Sequence, residues 1–301
     1  MGKDSNFLVD FLAGGVSGAI AKTCTAPIER VKLIIQTQDA NPRIISGEVP
    51  RYTSIGNTFA RVYSEQGLRA FWAGNGVNII RYFPTQAFNF AFKDTIKAMF
   101  PKYSPKEDFG KFFAVNVASG GFAGIGSLCF VYPLDYARTR LASDVGKGKK
   151  QFNGLVDCLV KTARGPSGVL SLYNGFGVSA IGIFPFRGAY FGVNDTLNGL
   201  NPYGKESSLR GIGSKFLCAQ TAALCAAYVS YPFDTVRRRL QMQSDKPKAE
   251  WKYSGTMNCF TTILADEGPA AFFKGAGANA LRTVGSALVL VLYGEIKKIL
   301  S

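Results

Sequence analysis

The sequence has no histidine among its 301 residues, and its six cysteines include no CxxC pair. Histidine is the commonest metal ligand and the side chain best suited to proton transfer near neutral pH, so histidine-based catalysis is excluded. Scattered cysteines in a long apolar chain favour neither a zinc site nor a disulfide framework. We therefore expect reduced thiols and no metal or other cofactor.

Charge is also scarce, because only 18% of the residues are charged while 47% are hydrophobic. The charge is strongly biased, with 35 Lys and Arg against 20 Asp and Glu, for a net charge of +15. The chain lacks the G-x-x-x-x-G-K-[ST] sequence of a P-loop and any acidic cluster that could hold magnesium for phosphoryl transfer. These absences argue against a nucleotide hydrolase, and we expect that the protein is not an enzyme.

Long apolar stretches dominate what is present. Residues 112–134 form 23 uncharged positions in a row and residues 216–233 form 18, close to the roughly 20 that a helix needs to cross hydrocarbon. Buried helices of a soluble protein are the alternative, but these runs exceed what a soluble domain of this size would hide. Four further apolar runs are each interrupted by one cation, namely Lys22, Arg81, Arg187 or Arg282. A cation in a membrane costs about 2.5–3.5 kcal/mol, so these four are expected to face a wet cavity and are candidate functional residues.

The sequence also repeats itself three times. The pattern P-x-[DE]-x-x-[KR] begins at Pro27, Pro133 and Pro232, at intervals of 106 and 99 residues. Each copy is followed by two glycines seven residues apart, which are Gly67 and Gly74, Gly168 and Gly175, and Gly268 and Gly275. A repeat of this length indicates one structural unit used three times.

The repeat and the apolar runs together predict an all-α membrane protein with six transmembrane helices. We expect a single transmembrane domain over 1–301, built from pseudo-threefold tandem repeats at about 5–103, 108–201 and 209–301, each with a short helix. An even number of spans puts both termini on one side and the Lys- and Arg-rich loops within repeats on the other. Residues 147–150 could suggest nucleic-acid binding, but solvated charge at a membrane surface is the simpler interpretation.

The repeated carboxylate and base lie three residues apart, so an ion pair within one helix is the simplest expectation. If Glu29, Asp135 and Asp234 face the bundle axis, each can instead meet the base of a neighbouring repeat. Lys32, Arg138 and Arg237 would then close a ring of ion pairs, which predicts a gate. Gln36 and Gln241 stand nine residues after their prolines and would brace two of the pairs, whereas the second repeat has Ala142 there.

The cations in the spans predict an anion site. Arg81 and Arg282 each lie seven residues after a repeated glycine, and the matching position in the second repeat is Gly182. Lys22, Arg81 and Arg282 converging on the axis would bind phosphate, for which arginine is well suited. Gly182 and Ile183 opposite them would leave a flat apolar slot for a planar base, so the expected solute is a nucleotide.

These motifs resemble the mitochondrial carrier family, and the similarity extends over nearly the whole chain. The stretches that carry it are 11–16, 26–32, 81–94, 127–135 and 234–239. Within the family the resemblance is to members that exchange ADP for ATP. It implies electrogenic antiport by alternating access across the mitochondrial inner membrane, by a multi-pass monomer with both termini in the intermembrane space. It also implies bound cardiolipin.

The resemblance assigns roles to individual residues. Nucleotide contacts are expected at Lys22, Arg81, Asn89, Lys93, Gly182, Ile183, Phe186, Arg187, Arg237, Arg238, Arg239 and Arg282. The matrix-side gate would comprise Glu29, Lys32, Gln36, Asp135, Arg138, Asp234, Arg237 and Gln241. A cytoplasmic gate would use Asp94, Lys97, Asp195 and Lys297. Cardiolipin phosphates would bind near Gly74, Gly175 and Gly275, where backbone amides are free.

Three departures from the family pattern leave alternatives open. Leu240-Gln241-Met242 replaces three methionines after the Arg triplet, which permits a carrier of the same fold for ATP-Mg, AMP or coenzyme A. Phe186 lacks the hydroxyl of the usual tyrosine. Asn198 and Gly294 stand where a base and an acid belong, so the cytoplasmic gate is expected to hold one ion pair instead of three.

Overall fold

A computed structural model of the chain describes residues 2–101, 103–104, 107–148, 150–204, 206, 208–285 and 287. Side chains are described for these residues except 2–14, 90, 93, 94 and 209. All regular secondary structure in this part of the chain is helical. The helices are α1 (Gly2–Thr37), α2 (Pro42–Ile45), α3 (Ile55–Gln66), α4 (Asn75–Ala98), α5 (Phe109–Ala142), α6 (Leu155–Ala163), α7 (Phe176–Leu200), α8 (Leu209–Gln243), α9 (Thr256–Glu267) and α10, described over 276–285.

The order of elements follows the predicted repeat. Each repeat has a long helix that contains the repeated proline, a linker with a short helix (α3, α6 or α9), a turn of 3-10 helix, and a second long helix. Side-chain caps start several of these helices: the Ser54 hydroxyl accepts a hydrogen bond from the Asn57 amide, and the Asp108 carboxylate accepts one from the Lys111 amide. Such caps satisfy amides that have no partner inside the helix.

The apolar core lies at the end of the bundle that carries the short helices, here called the loop face. It consists of three clusters, one under each short helix, which contain Val62 of α3, Cys158 of α6 and Cys259 of α9, all fully buried. Burial raises the pKa of both thiols to about 12, so they remain protonated. All six cysteines are free, in agreement with the expectation of reduced thiols.

The long helices carry exposed apolar side chains along most of their length. Examples are Phe122 and Phe130 on α5, Ile181 on α7, and Leu217 and Val229 on α8. Exposed apolar surface of this extent is typical of contact with lipid. Three segments of the described chain are long and apolar enough to cross a membrane: Phe109–Ala142, Gly168–Leu200 and Arg210–Gln243. At 36 and 24 residues, α1 and α4 are also long enough.

Neighbouring repeats pack closely along their helices, α4 against α5 and α7 against α8. The backbones of neighbouring repeats approach each other closely at the glycines that precede α4, α7 and α10. Gly74, Gly175 and Gly275 have φ of 80°, 84° and 84°, a conformation that favours glycine. A Cβ at these positions would lie 2.9–3.0 Å from the carbonyl oxygen of Arg138, Arg237 or Lys32, the three bases of the predicted ring.

Candidate functional site

A ring of three ion pairs joins the repeats where the long helices approach the loop face. Each carboxylate meets the base of another repeat, as the symmetry of the sequence predicts. The pairs are Glu29 with Arg138, Asp135 with Arg237, and Asp234 with Lys32, here called the first, second and third pairs. They close the junctions between repeats 1 and 2, 2 and 3, and 3 and 1, called the first, second and third junctions.

Glutamine amides support two of the three pairs. The Gln241 amide donates to Asp135 at 3.3 Å in the second pair, and the Gln36 amide donates to Asp234 at 3.2 Å in the third. Gln36 also donates to the Thr235 hydroxyl at 2.9 Å. Both glutamines are fully buried, so these hydrogen bonds are shielded from competing water.

The first pair is supported by an amide that the sequence analysis missed. The Asn78 amide donates to Glu29 at 3.1 Å from α4, one turn beyond Gly74. The signal in the sequence is an asparagine four residues after a repeated glycine, at 78 and again at 279. Asn279 is used differently, because its carbonyl oxygen accepts hydrogen bonds from Arg282 at 3.3–3.4 Å.

A cavity of about 710 Å³ lies above the ring and is lined by all six long helices. Lys22 of α1, Arg81 of α4 and Arg282 of α10 line this one cavity, as the anion-site prediction requires. The Lys22 ammonium lies 5.1 Å from the centre of the Tyr82 ring. One guanidinium nitrogen of Arg81 is 3.9 Å from Asp135, so Arg81 reaches both the cavity and the second pair.

The Arg triplet on α8 does not act as a unit. Arg237 lines the cavity while pairing with Asp135, and Arg238 lines it while donating to Asp234 at 3.1 Å and to Thr139 at 3.0 Å. Arg239 is fully buried on the opposite side of the helix. The expectation that Arg239 contacts or guides nucleotide is therefore wrong, because consecutive helical residues point about 100° apart and this one is enclosed by other partners.

Those partners form a partly buried charge cluster that sequence reasoning also missed. Arg239 pairs with Asp39 and Glu267, and Lys274 lies 2.6 Å from each carboxylate. Burial alone would raise the pKa of Glu267, but the hydrogen bonds from Arg239 and Lys274 outweigh it and lower the pKa to about 2. Asp39, Asp144 and Asp245 each follow a repeated proline by 11 to 13 residues, and that spacing could have revealed the cluster.

The predicted base slot is lined by Gly182, Ile183, Phe186 and Arg187 of α7, all at the cavity. A Cβ at Gly182 would lie 2.9 Å from the Cβ of Phe233, so glycine is also required there for packing of α7 on α8. Arg187 lies against Gly120, with a guanidinium nitrogen 3.7 Å from where a Cβ would be. The slot therefore has an apolar floor and a cationic edge.

The remaining predicted residues lie further from the ring. Asn89, about two turns beyond Arg81 on α4, is not among the described residues that line the cavity. Lys97 and Asp195 are exposed, and within the described part of the chain neither forms an ion pair. The side chains of Lys93 and Asp94 and the whole of Lys297 lie outside the described residues.

Comparison with known proteins places the chain in a family. The model of the mitochondrial carrier protein family matches residues 3–104, 110–202 and 209–301. An ADP,ATP carrier protein from Parachlorella kessleri is 59% identical over 296 residues, which cover 98% of this chain and 86% of that protein. ADP/ATP translocase 3 of Bos taurus is 52% identical over 298 residues, 98% of each chain. ADP/ATP translocase 2 of Tachyglossus aculeatus aculeatus is 51% identical over 296 residues, 97% of each. The threefold helical repeat, its ion-pair ring and these matches identify the chain as a member of the mitochondrial carrier family.

Proposed function

We propose that the protein exchanges ADP for ATP across the mitochondrial inner membrane by alternating access. The observation that carries the proposal is the convergence of Lys22, Arg81 and Arg282 in one cavity that ends at the ion-pair ring. The similarity to proteins named ADP/ATP translocases supports it. A volume of about 710 Å³ is suited to a nucleotide, since small-molecule sites typically range from about 300 to 1,000 Å³.

The cavity chemistry fits a phosphorylated solute. Guanidinium groups bind phosphate oxygens with two hydrogen bonds each, and the Lys22 ammonium adds a compact charge. The apolar surface at Ile183 and Phe186 would hold the adenine ring. Arg81 can release its contact with Asp135 when it binds phosphate, which links substrate binding to the ring.

Transport then requires the ring to open while a gate on the other side closes. We propose that Lys97, Asp195, Asp94 and Lys297 contribute to that second gate. ATP carries one more negative charge than ADP, so exchange of one for the other is coupled to the membrane potential at about 2.3 kcal/mol per 100 mV. The basic linkers make the loop face the matrix side in this proposal, which puts both termini in the intermembrane space.

The replacement of two methionines after the Arg triplet does not alter the cavity wall. Leu240, Gln241 and Met242 are all at most 2% exposed, and the Gln241 amide is used to hold Asp135. Because these residues do not line the cavity, their difference from the family pattern gives no reason to prefer ATP-Mg, AMP or coenzyme A over ADP and ATP. Because the cavity is built entirely within one chain, we propose that the monomer is the transporting unit.

Counterflow in liposomes tests the substrate assignment. We expect liposomes that contain the purified protein and are loaded with unlabelled ADP to accumulate labelled ADP and ATP at least tenfold faster than labelled AMP, ATP-Mg or coenzyme A. Vesicles without protein give the background. Faster uptake of AMP, ATP-Mg or coenzyme A than of ADP and ATP would indicate a carrier of the same fold with a different adenylate as its substrate. Retention of the protein on labelled RNA with no uptake of any nucleotide would favour nucleic-acid binding.

We also propose that cardiolipin binds beside the repeated glycines. Gly74 lines a second cavity, of about 490 Å³, together with Gly154 of the next repeat. Four cations line it as well, namely Arg30, Arg43, Arg69 and Lys150. Free amides at the start of α4 and these charges suit a lipid phosphate. Gly175 and Gly275 occupy the equivalent positions in the other repeats.

Lipid titration in detergent tests this assignment. Cardiolipin is expected to raise the melting temperature of the wild type, and the double substitution Arg69→Ala and Lys150→Ala should reduce that rise by at least half, since both exposed cations face the cavity. Arg164→Ala, which removes an exposed arginine elsewhere on the loop face, is the matched control. An unchanged rise in the double variant would contradict the assignment.

A further inference from the structure

The three pairs of the ring are unequally supported. In the second and third pairs the base also stacks on a tyrosine that precedes the repeated proline: Arg237 lies 5.5 Å from the Tyr132 ring, and Lys32 lies 5.1 Å from the Tyr231 ring. Each of these pairs also has its glutamine. The first pair has neither, because Ala26 and Ala142 occupy the corresponding positions.

Asn78 is the amide that supports the first pair. It is 2% exposed, its amide nitrogen donates to Glu29 at 3.1 Å, and its carbonyl oxygen is buried with no hydrogen-bond partner. It lines the cavity on α4, three residues before Arg81. One turn of one helix therefore carries both a phosphate-binding cation and the amide that holds the first pair.

A second layer of ionic contacts between repeats lies nearer the loop face, and it too differs among the three junctions. Across the second junction Arg140 pairs with Asp245 at 2.7 Å. Across the third, Arg239 and Lys274 pair with Asp39 at 3.2 and 2.6 Å.

The first junction has weaker ionic contacts in this layer. Arg30, which is 3% exposed, donates across it to the backbone carbonyl of Asp144 at 2.8 Å and otherwise meets the Gln66 amide oxygen and a backbone carbonyl of its own repeat. The ion pair that crosses the first junction in this layer within the described residues joins Arg43 to Asp144 at 3.8 Å. Asn41, Arg43 and Gln66 also donate to backbone carbonyls of repeat 2 across this junction. The first junction therefore lacks the glutamine and tyrosine of the other two in the ring, and in the second layer it is held mainly by hydrogen bonds to main chain, with the longest ion pair of the three.

We propose that the ring opens first at the junction of repeats 1 and 2, and that Asn78 is the positioning residue that keeps this junction closed. The proposal rests on the proposed function in that it takes the ring to be the gate of a transporter. Nucleotide bound at Arg81 moves the α4 turn that carries Asn78, which withdraws the amide from Glu29 and leaves the first pair without its support. The other two junctions, each held by a glutamine, a tyrosine and a shorter ion pair in the second layer, open later.

Distances between spin labels on the three short helices test the order of opening. Ser64→Cys on α3, Arg164→Cys after α6 and Ala265→Cys on α9 place labels at exposed sites, combined in pairs in full-length protein with Cys24, Cys129 and Cys225 replaced by serine. With increasing ADP, we expect the 64–164 distance to lengthen at lower concentration than the 164–265 and 64–265 distances. Simultaneous lengthening of all three, or earlier lengthening of either of the others, would overturn the proposal.

Substitution tests the role of Asn78 itself. Without nucleotide, Asn78→Ala should at least double the population with a long 64–164 distance, whereas Gln241→Ala should shift the 164–265 distance instead. Asn78→Ser, whose side chain is too short to reach Glu29, should behave like Asn78→Ala. An unchanged 64–164 distance in Asn78→Ala would refute the role of Asn78.

Exchange kinetics provide a second measurement. We expect Asn78→Ala to change the maximal exchange rate at least threefold and to keep KM within twofold of the wild type, because the cavity cations remain. Absence of ADP/ATP exchange by the wild type would remove the proposed function but leave the distances without nucleotide as an independent result.

Discussion

Replacing Arg81 or Arg282 by alanine is expected to reduce ADP/ATP exchange at least 30-fold. Truncating one partner of a buried, hydrogen-bonded charge pair typically costs about 2–5 kcal/mol, and each guanidinium is expected to contact phosphate in the bound state. Arg→Lys at either position should recover part of the activity, because lysine keeps the charge but loses the two-point contact. Initial rates of counterflow in liposomes provide the measurement.

The variants must be compared with a substitution that removes the same charge elsewhere. Arg164→Ala removes an exposed arginine outside the cavity and should exchange at the wild-type rate. Melting curves of Arg81→Ala and Arg282→Ala should show one cooperative transition, which would establish that the loss is not one of folding. Wild-type exchange by either cavity variant would contradict the anion-site assignment.

Asp135→Ala is expected to lower the free energy of unfolding by about 3–5 kcal/mol, because removing one partner of a buried ion pair leaves the other uncompensated. Asp135 is 2% exposed and is paired with Arg237, with Gln241 at 3.3 Å and with Arg81 at 3.9 Å. Its removal leaves two cations and an amide without their shared carboxylate. At about 2–4 °C per kcal/mol, the melting temperature in detergent should fall by at least about 6 °C.

Asp157→Ala is the matched control for this loss. Asp157 pairs with Lys161 at 2.8 Å on the surface of α6, and exposed pairs of this kind contribute about 0.3–0.5 kcal/mol. Its substitution should shift the melting temperature by no more than about 2 °C. A melting temperature for Asp135→Ala equal to that of Asp157→Ala would show that the ring does not stabilise this conformation.

The ring and the cavity could be predicted from the sequence because the repeat places the same residue types at equivalent positions. Three carboxylates and three bases in one register allow a ring of pairs between repeats as well as pairs within each helix, and the structure has the ring. Lys22, Arg81 and Arg282 were identifiable because isolated cations are costly in apolar spans. These inferences need only periodicity and charge.

The contacts that break the symmetry could not be predicted in the same way. Whether Asn78 supports Glu29 while Asn279 binds Arg282 depends on which neighbour lies within about 3 Å, and spacing alone does not determine this. The family resemblance assigned Arg239 to nucleotide together with Arg237 and Arg238, but a further 100° of helical rotation turns Arg239 toward Asp39 and Glu267. Asymmetry in this molecule arises from tertiary contacts rather than from the repeated motif.

The three glycines with left-handed backbone have a consequence for how the repeats can move. At Gly74, Gly175 and Gly275 the atom of the adjacent repeat that lies nearest is the main-chain carbonyl oxygen of a charged ring residue. A contact with a carbonyl oxygen is the same whether that residue is Lys or Arg. Because glycine leaves no side chain at these contacts, we expect them to be the points about which one repeat rotates against the next, at the depth of the ion-pair ring.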